Sequence, residues 1–201
     1  MKLPNKGNSR VYQFKIVLAG IKPMIWRRIQ VPETYSFWDL HVAVQNAMGW
    51  QDYHLHRFDI SNPLTRVKTS IGIPNEKSKW NKNHFPGWEE RISHYFTMAN
   101  DKARYLYDYL CDNWIHRLTL EGIFPGKAGT GYPLCLDGRR ACPPEDCGGV
   151  RGYYRLLGTI NQHNHKYKLQ VTGGAYDPER LSIYDIYFDN PARRLDLSFN
   201  R

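Results

Sequence analysis

The chain has 201 residues, of which 41% are hydrophobic, 14% are aromatic and 23% are charged. This length suits one domain with a real core, and the aromatic content argues against a disordered polymer. The formal net charge of +9, from 28 Lys and Arg against 19 Asp and Glu, favours a polyanionic partner, nucleic acid above all. No apolar run approaches about 18 residues and residues 1–10 are polar and basic, so we predict a soluble, cytoplasmic protein without a membrane span or secretory signal.

The first elements in the chain are a predicted hairpin and a helix. Residues 11–18 alternate between apolar and polar side chains, which is typical of a half-buried strand, and residues 24–31 follow as its hairpin partner. Residues 37–48 have apolar side chains at helical spacing, with Ser36 as a good N-cap and Gly49 as a good C-cap. Residues 54–60 predict a short strand.

The rest of the chain predicts more strands than helices. Residues 62–91 contain prolines, lysines and asparagines, and we expect a long surface insertion with little regular structure. Strand-like runs follow at residues 92–98, 104–110, 114–124 and 181–188, with a Gly- and Pro-rich stretch at 125–152 and a short helix at 153–160. Strands that pair locally and outnumber helices predict a single α+β domain with a mostly antiparallel sheet.

Three cysteines occur within thirteen residues of the Gly- and Pro-rich stretch, at Cys135, Cys142 and Cys147. As thiolates they could converge on one zinc ion. The fourth ligand would come from elsewhere in the chain, and the candidates are His116, His54 and His56. Their spacing is not that of a CxxC knuckle, and the alternatives are small buried hydrophobes in a constrained loop, or a disulfide.

A second cluster joins two carboxylates and an imidazole within nine residues: Asp108, Asp112 and His116. Such a group could bind a metal ion or perform general acid–base chemistry, which makes these residues the catalytic candidates. The alternative is structural, because turns select Asp and Asn for local hydrogen bonds.

Basic residues are interleaved with aromatic ones, a pattern that suits phosphate contacts and base stacking. The alternative is a solvated charged surface. The sequence contains no helix-turn-helix or zinc-finger motif for nucleic-acid binding, no P-loop, and no established catalytic motif. The candidate nucleic-acid-binding residues are Arg27, Arg28, Lys77, Lys79, Trp80, Lys82, Arg139 and Arg140.

Several motifs together resemble one family. They are IKPMIWRRIQV at residues 21–31, HLHRF at 54–58, the segment from Tyr107 to His116, and CLDGRRACPPEDCGG at 135–149. On these motifs the chain is identified as a member of the plasmid pRiA4b ORF-3-like family, over residues 11–195, with a disordered tail expected at 1–10 and another tail at 196–201. The resemblance implies an α+β domain built on a curved sheet, and a setting on plasmids and insertion elements.

Three functions remain open at this point. The first is a non-catalytic nucleic-acid-binding or recombination-accessory module of a mobile element, with DNA or RNA as partner and no membrane partner. The second is a metal-dependent hydrolytic enzyme that uses the Asp/His cluster. The third is a protein-interaction domain with a structural zinc loop. We favour the first, and hence a protein that is not an enzyme.

Overall fold

A computed structural model describes residues 10–74, 83–161 and 176–199. Within these residues eight strands form one sheet in the order β5-β4-β3-β6-β7-β1-β2-β8. The strands are β1 (Arg10–Leu18), β2 (Trp26–Pro32), β3 (His56–Ser61), β4 (Lys68–Gly72), β5 (His84–Pro86), β6 (Lys102–Tyr107), β7 (Trp114–Pro125) and β8 (Leu134–Arg139). Neighbouring strands are antiparallel except β4 and β5, which are parallel. The predicted α+β class with a mostly antiparallel sheet is confirmed.

Strand β1 lies inside the sheet, between β7 and β2, and pairs on both edges. Its Phe14 lies opposite Ile29 of β2 in the register, and its Ile16 lies opposite Leu118 of β7. Inward and outward side chains alternate along β1, with Phe14 and Ile16 fully buried and Lys15 half-buried. One side of the sheet therefore faces the core and the other faces solvent.

Helix α1 (Phe37–Met48) lies on the core side, as the sequence predicts. Ser36 Oγ accepts a hydrogen bond from the Asp39 amide at 3.1 Å, and the Asp39 carboxylate accepts one from the Ser36 amide at 2.8 Å. This reciprocal capping box satisfies two amides that a helix start otherwise leaves unpaired. Gly49 ends the helix with a φ of 82°, a conformation that glycine adopts without strain.

The described part of the chain contains two further α-helices. Helix α2 (Gly149–Asn161) includes the helix predicted at residues 153–160, and helix α3 (Pro191–Phe199) packs against α1. Trp38 Nε1 of α1 donates to the Pro191 carbonyl at 2.9 Å. In the described residues no helix is both long and apolar enough to cross a bilayer.

The segment expected as an irregular insertion contributes strands β4 and β5 to the sheet. In β4, Thr69 and Ile71 are buried while Lys68 is exposed, so the strand alternates like its neighbours. The alternation is only five residues long, and it becomes a strand because β3 offers it an edge. The prediction of little regular structure over residues 62–91 was therefore wrong for the residues of that segment that the structure describes.

Other local predictions also differ from the structure. Residues 92–98, expected as a strand, begin with a 3₁₀ turn at Ile92–His94, where the Tyr95 amide donates to the Ile92 carbonyl at 3.1 Å. Residues 181–188, also expected as a strand, contain a 3₁₀ turn at Ile183–Asp185 without a sheet partner. Residue 196, where we expected a tail to begin, lies inside α3, because that helix continues to Phe199. The predicted tail over residues 1–10 lies outside the described residues except for Arg10.

Candidate functional site

The solvent-facing side of the sheet carries many Lys and Arg side chains, called the basic face below. Directly paired residues of neighbouring strands share a face, so the register and the exposure pattern together place each side chain. The basic face consists of Lys15, Arg28, Arg57, Lys68, Lys102, Arg104, Arg117 and Arg139. Three carboxylates share the surface, those of Asp59, Glu121 and Asp137.

All three carboxylates are engaged with two of the arginines. Arg28 contacts Glu121 at 2.6 Å and Asp137 at 3.5 Å, and Arg57 contacts Asp59 at 3.1 Å. The Arg28 guanidinium, through its hydrogen bond, lowers the pKa of the Glu121 carboxyl. The carboxylates therefore neutralise the positions of Arg28 and Arg57, and leave the middle of the basic face positive.

The middle of the basic face holds a pair of like charges. Arg104 of β6 lies directly opposite Arg117 of β7 in the register, and both side chains are exposed. Among the described residues, neither guanidinium has a carboxylate within 4.0 Å, and the same holds for Lys68 and Lys102. Like charges directly across two strands destabilise a sheet. An anion placed between them would remove that repulsion.

A groove of about 710 Å³ lies over this part of the sheet. Its rim includes Lys68, Lys102, Arg104 and Arg117, and Val17 contributes apolar surface. Asp59, which pairs with Arg57, also lines the groove, so its charged lining is predominantly positive. A concave surface with an excess of one sign of charge concentrates counter-ions more strongly than a flat one. The groove therefore suits an extended polyanion.

The residues predicted to bind nucleic acid fall into three groups. Arg28 and Arg139 lie on the basic face. Arg27 is only 2% exposed and Arg140 only 3%: Arg27 donates to the Ala47 carbonyl at 2.8 Å, and Arg140 pairs with Glu179 at 2.7 Å. These two guanidinium groups hold the fold together and are not available to phosphates. Lys77, Lys79, Trp80 and Lys82 lie outside the described residues.

The residues of the basic face that the sequence reasoning missed are Lys15, Arg57, Lys68, Lys102, Arg104 and Arg117. Their signal was present, because Arg104 and Arg117 occupy outward positions of strands that were correctly predicted. What the sequence did not show is which outward residues stand next to each other.

The structure does not bring together the predicted zinc ligands of the cysteine loop. Cys135 lies in β8 at the sheet edge, Cys142 packs against Met48 with its Sγ 3.2 Å from the Met48 Sδ, and Cys147 is buried just before α2. Among the described residues, the groups of three or more His, Cys, Asp or Glu close enough to share an ion contain no cysteine and do not contain His116. The predicted ligands are therefore not brought together, because Cys135 lies on β8, Cys142 and Cys147 lie on the loop before α2, and His116 lies on β7. All four cysteines are free thiols, so the structure does not contain the disulfide that was the other alternative.

We expect the thiols to differ sharply in reactivity. Burial raises the pKa of Cys142 to about 11 and that of Cys147 to about 12, so neither forms the reactive thiolate at neutral pH, whereas Cys111 is exposed. A chromogenic disulfide reagent should modify Cys111 first, and Cys142 and Cys147 only after unfolding, as located by peptide mass mapping. The variant Cys111→Ser should lose the fast phase. Modification of Cys142 in the native chain at the rate of Cys111 would contradict the buried placement.

Asp108, Asp112 and His116 also do not form one catalytic group. The Asp108 carboxylate accepts from the Asp112 amide at 2.8 Å, and the Asp112 carboxylate accepts from the Gly148 amide at 3.2 Å. Both aspartates thus shape the β6–β7 turn and fix the start of α2 against it. His116 points into the core beside Trp50, where burial lowers its pKa to about 3. The contacts of these three residues are those expected from the structural alternative.

Two other groups of side chains do converge. The first lies near the surface, where His54 Nδ1 is 3.6 Å from Asp108 Oδ1 and His54 Nε2 is 2.8 Å from Asp146 Oδ1. The second is buried between α1, β3 and the loop that joins them, and consists of His41, Asp52 and His56. Sequence reasoning named His54 and His56 as possible metal ligands, but the structure places them in different groups.

Comparisons with known proteins agree with the resemblance in the motifs. The family model described as plasmid pRiA4b ORF-3-like protein matches residues 10–185. The uncharacterized protein y4hQ of Sinorhizobium fredii is 32% identical over 161 residues, which covers 79% of this chain and 77% of that protein. The crystal structure of the protein of unknown function MM3350 from Methanosarcina mazei Go1 is similar, with a TM-score of 0.84 and 41% identity. It covers 92% of this chain and 100% of that one.

Proposed function

The chain belongs to the plasmid pRiA4b ORF-3-like family, and we propose its function from its own surface, because the two relatives described above are named as uncharacterized or of unknown function. The proposal is a non-catalytic module that binds the phosphate backbone of nucleic acid across the basic face. A mobile-element setting and an accessory role in recombination belong to the same proposal. The observation that carries it is the directly opposed pair Arg104 and Arg117, which are exposed and have no carboxylate of a described residue within 4.0 Å.

The surroundings of the pair favour a polyanion over a single small anion. Lys102 and Lys68 continue the positive charge along the groove, and Lys15 lies on the neighbouring strand β1. Successive phosphates of a nucleic-acid strand could therefore meet successive cations. Each such contact releases a condensed counterion, which makes the affinity depend strongly on salt.

Trp26 is the large aromatic side chain on this side of β2, and it is flanked by cations. Lys15 Nζ lies 4.9 Å and the Arg28 guanidinium carbon 5.4 Å from the centre of its ring. A ring held in this way does not offer the open stacking platform that sequence-tolerant single-strand binders use. We therefore expect the basic face to contact backbone rather than bases, and to bind with little sequence preference.

The double variant Arg104→Gln/Arg117→Gln tests the proposal directly. Wild-type chain should bind a fluorescent 20-mer, duplex or single-stranded, with a Kd that rises steeply with salt. The double variant should bind it at least roughly tenfold more weakly at low salt, and the slope of log K against log[salt] should become shallower by about 2, since two phosphate contacts are lost. Fluorescence anisotropy at several salt concentrations measures both quantities.

A matched control removes the same charge elsewhere. Arg151 and Arg155 are exposed on α2, away from the basic face, and Arg151→Gln/Arg155→Gln should keep the wild-type affinity and slope. The Arg104/Arg117 variant should be as stable as wild type or up to about 1 kcal/mol more stable, because the repulsion across the strands is gone. Weaker binding in a chain that has not lost stability separates a binding role from a structural one. Equal binding by both double variants, or no binding at low salt, would rule the proposal out.

A further inference from the structure

The buried group of His41, Asp52 and His56 is unlike the rest of the core. His41 is fully buried, His56 is 1% exposed, and the Asp52 side chain is 7% exposed. The two imidazole rings lie face to face, with centroids 3.4 Å apart, and His41 Nε2 is 3.0 Å from Asp52 Oδ1. One ligand atom from each of the three residues lies within 4.8 Å of the others.

The polar atoms of this group do not satisfy one another by hydrogen bonds. Although Asp52 Oδ1 is close to His41 Nε2, the two atoms do not form a hydrogen bond, so the oxygen lies off the direction in which the ring nitrogen points. Neither nitrogen of His56 hydrogen-bonds to any described residue. Buried polar atoms without partners are costly, and an ion or an ordered water is the usual explanation.

Neighbouring side chains contact the group from outside. The Tyr105 hydroxyl lies 2.8 Å from His41 Nδ1 and accepts a hydrogen bond from Gln45 Nε2 at 2.7 Å. If His41 Nδ1 carries the proton and donates it to the Tyr105 hydroxyl, Nε2 keeps its lone pair, and this is the tautomer that the metal site needs. Arg194 Nη1 of α3 lies 3.4 Å from Asp52 Oδ2, which leaves Oδ1 directed towards the histidines. Outer contacts of this kind are typical of metal ligands.

We propose that His41 Nε2, Asp52 Oδ1 and one nitrogen of His56 bind a divalent transition-metal ion such as Zn²⁺. Two imidazoles and a carboxylate are a donor set for such ions, and oxygen-seeking Mg²⁺ or Ca²⁺ would be a poor match. The rings must tilt away from their parallel stacking so that both lone pairs point at the ion. Because the group is buried under α3, the ion is structural and joins α1, β3 and the connecting loop.

The surface group of His54, Asp108 and Asp146 is a weaker candidate. His54 Nε2 already hydrogen-bonds to Asp146, Asp108 already accepts from the Asp112 amide, and the Asp146 side chain is 64% exposed. Its atoms are satisfied without an ion, in contrast to those of His56.

The test is a titration of the full chain, stripped of metal by a chelator, with Zn²⁺ by calorimetry and with Co²⁺ by visible absorption. We expect about one equivalent per chain and a higher Tm when metal is bound. His56→Gln and Asp52→Asn should each weaken binding by at least roughly tenfold. His116→Gln is the matched control, because His116 is also a fully buried histidine whose nitrogens hydrogen-bond to no described residue, and it should keep the wild-type affinity.

X-ray absorption on the Co²⁺-loaded wild-type chain gives an answer that does not depend on any variant folding. Two imidazole ligands with oxygen ligands and no sulfur would support the site. Sulfur ligands, fewer than two imidazoles, or no binding at all would overturn it. Binding that survives in a folded His56→Gln chain would also overturn it, and in that case water molecules satisfy the buried nitrogens.

Discussion

Replacing Gly152 with alanine should cost about 3 kcal/mol or more of unfolding free energy, or prevent folding altogether. A Cβ built on Gly152 would lie 1.8 Å from the Cys147 carbonyl oxygen, far inside van der Waals contact. The clash is with backbone, so no side chain can rotate to relieve it. Cys147 is itself packed in the core, and the loop before α2 cannot retreat without disturbing that packing. Urea unfolding followed by tryptophan fluorescence measures the loss.

Gly158 provides the control within the same helix. It is exposed, and a Cβ built there meets no atom within 4 Å. Gly158→Ala should therefore stabilise the chain by about 0.5–1 kcal/mol, because alanine is the better helix former. A lower unfolding free energy for Gly152→Ala and a higher one for Gly158→Ala would separate steric crowding from helix propensity. Equal effects of the two substitutions would show that the close contact at Gly152 is not a feature of the folded protein.

Lowering the pH from 7.5 to 4.5 should remove about 3 kcal/mol of unfolding free energy through His116 alone. Burial lowers the pKa of His116 from 6.5 to about 3, so between these values the unfolded chain binds a proton that the folded chain does not. Stability from this group is complete above pH 6.5 and is lost progressively as the pH falls towards 3. At pH 4.5 the difference covers two pKa units, each worth about 1.4 kcal/mol.

The pH effect of His116 is isolated by comparing variants at both pH values. His116→Phe keeps an aromatic ring next to Trp50 but removes the titrating group, so its loss of stability on acidification should be smaller than that of wild type by about 3 kcal/mol. His94→Gln alters an exposed histidine and should leave the wild-type loss unchanged. If the His116→Phe chain lost as much stability as wild type, His116 would have to be accessible to protons in the folded state.

Local sequence signals predicted the elements whose partners are close in the chain. Ser36, Asp39 and Gly49 specify the ends of α1 by themselves, and the alternating pattern of residues 11–18 specifies β1. Strand β4 is different, because five residues with two buried side chains are compatible with a loop until the edge of β3 is present. Local patterns therefore predicted the fold class and most elements, but not the elements that exist only through a neighbour.

The candidate sites needed information that no spacing in the sequence contains. Arg104 and Arg117 are predictable as outward residues, but their direct opposition depends on the register fixed by the turn between β6 and β7. His41, Asp52 and His56 come from a helix, a loop and a strand, and their meeting depends on how α1 lies on the sheet. The three cysteines, in contrast, are close in the sequence and suggested a shared zinc site, but the structure does not bring their thiols together.

The position of β1 between β2 and β7 also determines the order in which the domain can be assembled during synthesis. β1 can pair with β2 as soon as the hairpin leaves the ribosome, but its other edge waits for β7, which lies about 100 residues further along the chain. At bacterial or eukaryotic rates of translation this interval lasts about 5–20 s. Throughout that time the nascent hairpin presents an open strand edge together with the apolar side chains of Phe14 and Ile16. The nascent hairpin is therefore a segment that we expect a chaperone to cover until β7 has been made.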